Sequence, residues 1–149
     1  MGTSATWSGP VAGSVGRAYD ANLRLVTLTV NGQDPLSFGY DQDSLLVQAG
    51  ALALALDPQN GRVTGTSLSN VSDTRTYNGF GERTGYTAAY GADVFYALQN
   101  TRDKLGRIAT KTETIGGVTD TYDYAYTAAG RLSDVTRKWG GCSRITSTT

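Results

Sequence analysis

The chain is built from short runs in which residue character changes at every second position. In "LVTLTVNG", Val26, Leu28 and Val30 fall on one side and Thr27 and Thr29 on the other. In "IATKTETIGG", Ile108, Thr110, Thr112 and Thr114 alternate with Ala109, Lys111, Glu113 and Ile115, and farther on Tyr122, Tyr124 and Tyr126 share one side. A period of two is the signature of extended strands. Between the runs stand Asn31-Gly32, Ala49-Gly50, "SNVSD" at 69–73, "YGAD" at 90–93 and Gly116-Gly117. Asn-Gly and Gly-Gly between alternating runs mark tight hairpins, because primed turns need positive φ. One segment pulls the other way: "ALALAL", 51–56, has high helix propensity. Its leucines nonetheless alternate strictly with alanine, and Gly50 and Pro58 bracket it, so it reads as a strand with Leu52, Leu54 and Leu56 on the buried face.

A second kind of corner recurs in one frame: "YDANLRL" at Tyr19, "YDQDSLL" at Tyr40, "DPQNGRV" at Asp57, "YNGFGER" at Tyr77, "RDKLGRI" at Arg102 and "YTAAGRL" at Tyr126. Successive starts are 21, 17, 20, 25 and 24 residues apart, which is the length of one hairpin plus its connection. The fifth place is glycine in Gly61, Gly81, Gly106 and Gly130, which implies a left-handed residue ending the turn. Leu23 and Ser44 stand there in the other two copies. Asp20, Asp41, Asn78 and Asp103 follow the first residue and can bond backbone N–H groups two residues on, as in an Asx-turn. The sixth place is Arg24, Arg62, Arg107 and Arg131 in four copies, where a guanidinium can stack on the tyrosine or bond a carbonyl of the neighbouring repeat. Each unit is thus two strands and two turns, and the chain is expected to form an all-β, antiparallel β-meander of hairpin repeats with about a dozen strands. Iteration favours a structural corner. The competing reading is a repeated binding surface offering tyrosine faces to sugars, with Tyr122 and Tyr124 the candidate glycan-facing residues.

Composition narrows the chemistry. The 149 residues suffice for one domain with a moderate core. The 13 basic and 13 acidic residues balance and no basic run occurs, so the footprint of a nucleic-acid binder is missing. No histidine occurs, which excludes a Ser–His or Cys–His nucleophile pair and a His-ligated metal within this sequence. Cys142 is the single cysteine, so no intramolecular disulfide forms; it reads as a free surface thiol. "GFGERTG", 79–85, misses the dinucleotide-binding spacing and coincides with the fourth corner. Carboxylates are scattered over strands and turns. The sequence gives no reason to expect an enzyme, a cofactor or a metal. The most apolar run, 45–56, is too short to span a membrane as a helix. The first residues lack the basic and apolar regions of a secretory signal, and their match to a myristoylation pattern is of the kind that arises by chance.

The iterated corner resembles the "YDxxGRL" motif of the Rhs or YD-repeat proteins, a family that includes the C-components of insecticidal toxin complexes and the extracellular shell of teneurins. The likeness runs from Tyr19 to about Arg137, with "WSGPVAGSVGR" similar to a preceding half-repeat. It implies a long sheet spiralling into a shell, of which six repeats would be an open part. It also implies a parent protein with further repeats and a C-terminal toxin segment, located outside the cell or on its surface. Asp57-Pro58 is superficially similar to the Asp-Pro motif of the family's closing region, but falls in frame with the repeats and reads as a turn. The expected organisation is a repeat region over 1–137 and an aberrant or disordered tail over 138–149, where the Tyr, Gly-Arg and alternation all stop. No closing region or toxin domain follows the repeats, so the sequence reads as a truncated fragment.

Overall fold

A computed structural model describes residues 3–139 and 142–146, with side chains described as far as residue 138. All described regular structure is β, and no helix long and apolar enough to cross a membrane is present among these residues. The chain divides into two units, 3–69 and 70–146. The first holds β1 (Ser4–Trp7), β2 (Gly13–Tyr19), β3 (Leu25–Val30), β4 (Gln33–Tyr40), β5 (Leu46–Ala49), β6 (Leu52–Leu56) and β7 (Val63–Leu68). The second holds β8 (Val71–Tyr77), β9 (Arg83–Tyr90), β10 (Asp93–Arg102), β11 (Ile108–Ile115), β12 (Val118–Tyr126), β13 (Leu132–Trp139) and β14 (Cys142–Thr146).

Within each unit every strand pairs antiparallel with its neighbour in sequence. No described pairing joins β1 to β7 or β8 to β14, so each meander is open. The architecture is the all-β antiparallel meander that the alternation predicts. The run at 51–56 is strand: Leu52, Leu54 and Leu56 are half-buried while Ala53 and Ala55 are exposed. Alternation and the bracketing turn outweigh the helix propensity of alanine and leucine.

Turns at one end of the hairpins are tight. Val30 pairs with Gln33 across Asn31-Gly32, and Ile115 with Val118 across Gly116-Gly117. All four turn residues have positive φ, between 53° and 84°. This is the backbone of a primed two-residue turn, whose twist matches the strands it joins.

Because each unit is a single layer, little is fully buried. Ala88 and Leu98 are the buried hydrophobic residues among those described, and both lie on one face of the second unit. That face carries the large and charged side chains: Tyr86, Tyr96, Leu98, Lys111, Glu113, Tyr122 and Tyr124. The opposite face carries mainly small and hydroxylated ones, with Asp123 and Lys138 ion-paired on it across β12 and β13. There Thr74 and Thr87 share a hydrogen bond across β8 and β9, as do Thr112 and Thr121, and Thr114 and Thr119, across β11 and β12. Cross-strand pairs of this kind, rather than a deep core, carry the cohesion of such a sheet.

The strand pattern continues past residue 137, where the sequence reading ends the repeats. β13 runs to Trp139, and β14 pairs with it through Thr136–Thr146, Lys138–Ser143 and Trp139–Cys142. Strand pairing is made by main-chain groups, so it persists where side-chain alternation does not. Residues 140–141 and 147–149, and the exposure of the Cys142 thiol, lie outside what is described.

Candidate functional site

The repeated feature is the corner, and its backbone is nearly the same in five of the six copies. In the first, the Asp20 N–H donates to Arg24 C=O at 3.0 Å and the Leu23 N–H to Asp20 C=O at 3.0 Å. The Asp20 carboxylate accepts the N–H groups of Asn22 and Arg24, both at 2.9 Å. Asp41, Asn78 and Asp103 accept the N–H groups two and four residues on in the same way, at 2.8–3.0 Å. In the sixth corner Thr127 Oγ1 accepts only the Arg131 N–H, at 3.2 Å. The residue closing each turn is left-handed: Leu23, Ser44, Gly61, Gly81, Gly106 and Gly130 have φ of 63°, 66°, 69°, 79°, 78° and 78°. A three-residue loop ending in a left-handed residue is a standard hairpin closure that forces a bulge. Register shifts fall beside Tyr19, Tyr40, Tyr77, Arg102 and Tyr126 accordingly.

The third corner departs from the sequence frame. Asp57 does not take the tyrosine's place. Leu56 does, opposite Val63, while Asp57 takes the aspartate's role and accepts the Gln59 N–H at 2.8 Å. Its own N–H reaches Arg62 C=O at 2.8 Å, so four residues separate the closing pair instead of three. Counting back from Gly-Arg hides this extra residue. The Asp57-Pro58 pair sits in this turn.

The arginines bind their own aspartate. Arg24 Nε donates to Asp20 Oδ2 at 2.7 Å and Arg107 Nε to Asp103 Oδ2 at 2.7 Å. The Arg24 N–H, ahead of its guanidinium, holds the Asp20 carboxyl below the usual carboxylate range. For Asp103 the Arg107 guanidinium is the leading cause of the same shift. The guanidinium then lies over the tyrosine of the next corner, not its own. Arg24 is 4.7 Å from the Tyr40 ring centroid and Arg107 is 4.3 Å from that of Tyr126, both inside the range of a cation–π contact. The tyrosine hydroxyls donate to the carbonyls following those arginines: Tyr40 to Leu25 at 2.9 Å and Tyr126 to Ile108 at 2.8 Å. The carbonyl bond expected of the arginine is thus made by the tyrosine.

Two junctions use other residues in the same places. In the fourth corner Glu82 replaces the arginine and accepts the Asn78 side-chain amide at 2.7 Å. Arg102 stands in the tyrosine's place of the fifth corner, and its Nε lies 3.4 Å from Glu82 Oε2. In the second corner Leu45 replaces the arginine, and it lines one recess together with Leu56. Sequence reasoning overlooked these substitutions because it compared each place down the copies instead of across adjacent copies.

Tyr122 and Tyr124 are half-buried. The Lys111 ammonium and Arg137 guanidinium stand 5.4 Å and 5.9 Å from the Tyr122 ring centroid. Arg137 also pairs with Asp120 at 2.6 Å, and Lys111 with Glu113 at 3.0 Å. Tyr96 donates to Glu113 at 2.8 Å. That bond first, then Lys111, holds the Glu113 carboxyl low, and Glu113 pushes the Tyr96 phenol up. The opposite face holds a shallow recess of about 260 Å³, lined by Thr74, Thr76, Gly85, Thr87, Gln99 and Thr112 among others. Among the described residues no cluster of His, Cys, Asp and Glu could hold a metal ion.

The sequence model of the teneurin YD-shell matches residues 6–144. The chain belongs to the YD-shell family. Solved structures with the same fold agree. The YD-shell chain aligns with a crystal structure of TcdB2-TccC3 at a TM-score of 0.62 and 12% identity, covering 95% of this chain and 10% of that one. It aligns with a Tc holotoxin pore of Photorhabdus luminescens at a TM-score of 0.55 and 12% identity, covering 92% and 10%. It therefore spans about a tenth of the length of these chains. A comparison with curated protein sequences finds no match. At this identity the likeness establishes the fold, and the family match adds that this fold is the repeat of a YD shell.

Proposed function

We propose that this chain is a segment of an Rhs-type β-shell that scaffolds or encloses a toxin polypeptide, with further repeats on either side and no catalysis in this segment. The observation that carries the reading is the corner-to-corner stitch, in which Arg24 stacks on Tyr40 and Arg107 on Tyr126. Within each unit adjacent corners meet through side chains, so each unit is a wall made of repeats and no one repeat is singled out as a site. One similar structure is named as a Tc holotoxin pore, which supports a cargo of that kind. On this reading the assembly works outside the cell or at its surface. The glycan-binding alternative needs open tyrosine faces, and the cations beside Tyr122 weigh against it.

The test is limited proteolysis of the full polypeptide that carries these repeats. Enclosure predicts a segment that resists protease while the sheet is intact and is digested once the sheet is denatured. A cargo digested equally fast with and without an intact sheet would sink the proposal.

A further inference from the structure

Four of the five corner-to-corner junctions lie within a single unit, and each is chemically matched. Arg24 faces the ring of Tyr40 and Arg107 the ring of Tyr126. Glu82 faces the guanidinium of Arg102. Leu45 and Leu56, both aliphatic, line the same recess. When the arginine is replaced at one corner, the tyrosine of the next corner is replaced too, by a residue suited to the newcomer.

We propose that the residue after the left-handed position of one corner and the strand-end residue of the next form a pairing code that penalises mismatched neighbours. Arg24 and Arg107 would match either Tyr40 or Tyr126, so discrimination falls on the junctions where the pair is replaced. A first corner stacked on the fifth would set Arg24 against Arg102, two like charges. A fourth corner stacked on the sixth would set Glu82 against the Tyr126 ring, whose face is electron-rich. Repeats of similar sequence misassemble by skipping or swapping, and a mismatch penalty against wrong neighbours suppresses this. The code concerns neighbouring repeats only and stands independently of any enclosed cargo.

A mutant cycle on the whole chain tests it. Asn78→Asp is made first, so that the fourth corner has the aspartate of the arginine corners. On that background Glu82→Arg, Arg102→Tyr and the two together are compared, with Glu82→Arg plus Arg102→Glu as an exchanged ion pair. The new aspartate then stands against Glu82, so Glu82→Arg alone gains an aspartate partner while facing Arg102, and the readout is the coupling between the two positions. Both double variants are expected to melt roughly 3 °C or more above the sum of the single shifts, the difference about 1 kcal/mol produces in a chain of this size. If a single variant is insoluble, soluble expression of the doubles counts as the coupling. Doubles whose shift equals the sum of the singles, or that remain insoluble, would overturn the code.

Discussion

The Arg107 guanidinium lies 4.3 Å from the centroid of the Tyr126 ring, and the Tyr126 hydroxyl donates at 2.8 Å to the carbonyl of Ile108, the residue after that arginine. One side chain thus covers the preceding corner with its ring and satisfies its backbone with its tip. Tyr126→Phe keeps the ring and removes the hydrogen bond, and should cost about 1 kcal/mol. Tyr126→Leu also removes the cation–π contact and should cost about 0.5–1 kcal/mol more. Urea unfolding read by circular dichroism checks both; equal midpoints for the Tyr126→Phe variant and the unsubstituted chain would contradict the assignment of the hydroxyl.

Leu23 has a φ of 63° in the place where four other corners have glycine, and it is 67% exposed. A left-handed non-glycine residue is strained by roughly 1–2 kcal/mol, and an exposed leucine contributes little burial in return. Leu23→Gly should therefore stabilise the chain by about 1 kcal/mol, partly offset by the entropy of a more flexible unfolded chain. Gly106→Ala should do the reverse, because φ there is 78° and the new Cβ would stand 3.3 Å from Glu82 Oε1. Thermal melts of the two variants should move in opposite directions.

Asp20, Asp103 and Glu113 titrate lower in the folded chain than ordinary carboxylates, because N–H, guanidinium and phenol donors favour the charged form. Their contribution is complete above the unfolded value near pH 4 and is lost as pH falls through the lower folded value. Tyr96 is shifted up, so its contribution is complete below about pH 10 and is lost as pH rises through the folded value. Melting temperature against pH should have an acid shoulder that Asp103→Asn reduces and an alkaline one that Tyr96→Phe reduces. A profile unchanged by either variant would contradict these assignments.

The chain in isolation should self-associate. All four residues of β1 are exposed, and β1 pairs only with β2 among the described strands. A strand with one unpaired side is a template for another chain. Phe80 and Leu105, at 89% and 75% exposure, add apolar corner tips. Size-exclusion chromatography with light scattering should report oligomers whose size grows with concentration; a sharp monomer with cooperative melting would refute this.

Strands and turns were legible in the residues because both rest on local rules. A period of two places Leu52, Leu54 and Leu56 on one side of β6, and Asn31-Gly32 and Gly116-Gly117 supply the left-handed pairs that tight hairpins need. The corner frame was legible too, except at 57–62, where a residue added before Gly61 moves Asp57 from the first place to the second. Nothing local marks that addition, since the Gly-Arg that anchors the frame is unchanged.

By itself, the sequence determined the all-β meander, the period of its hairpins and the left-handed closure of its corners. Each depends on neighbours a few residues apart. Only the tertiary structure decided the partners: that Arg24 serves Tyr40 and not Tyr19, that Glu82 answers Arg102, and that Tyr122 sits beside Lys111 and Arg137. Those contacts join side chains that are distant in the chain and meet only when strands pair in one register, and a linear pattern carries no record of that meeting.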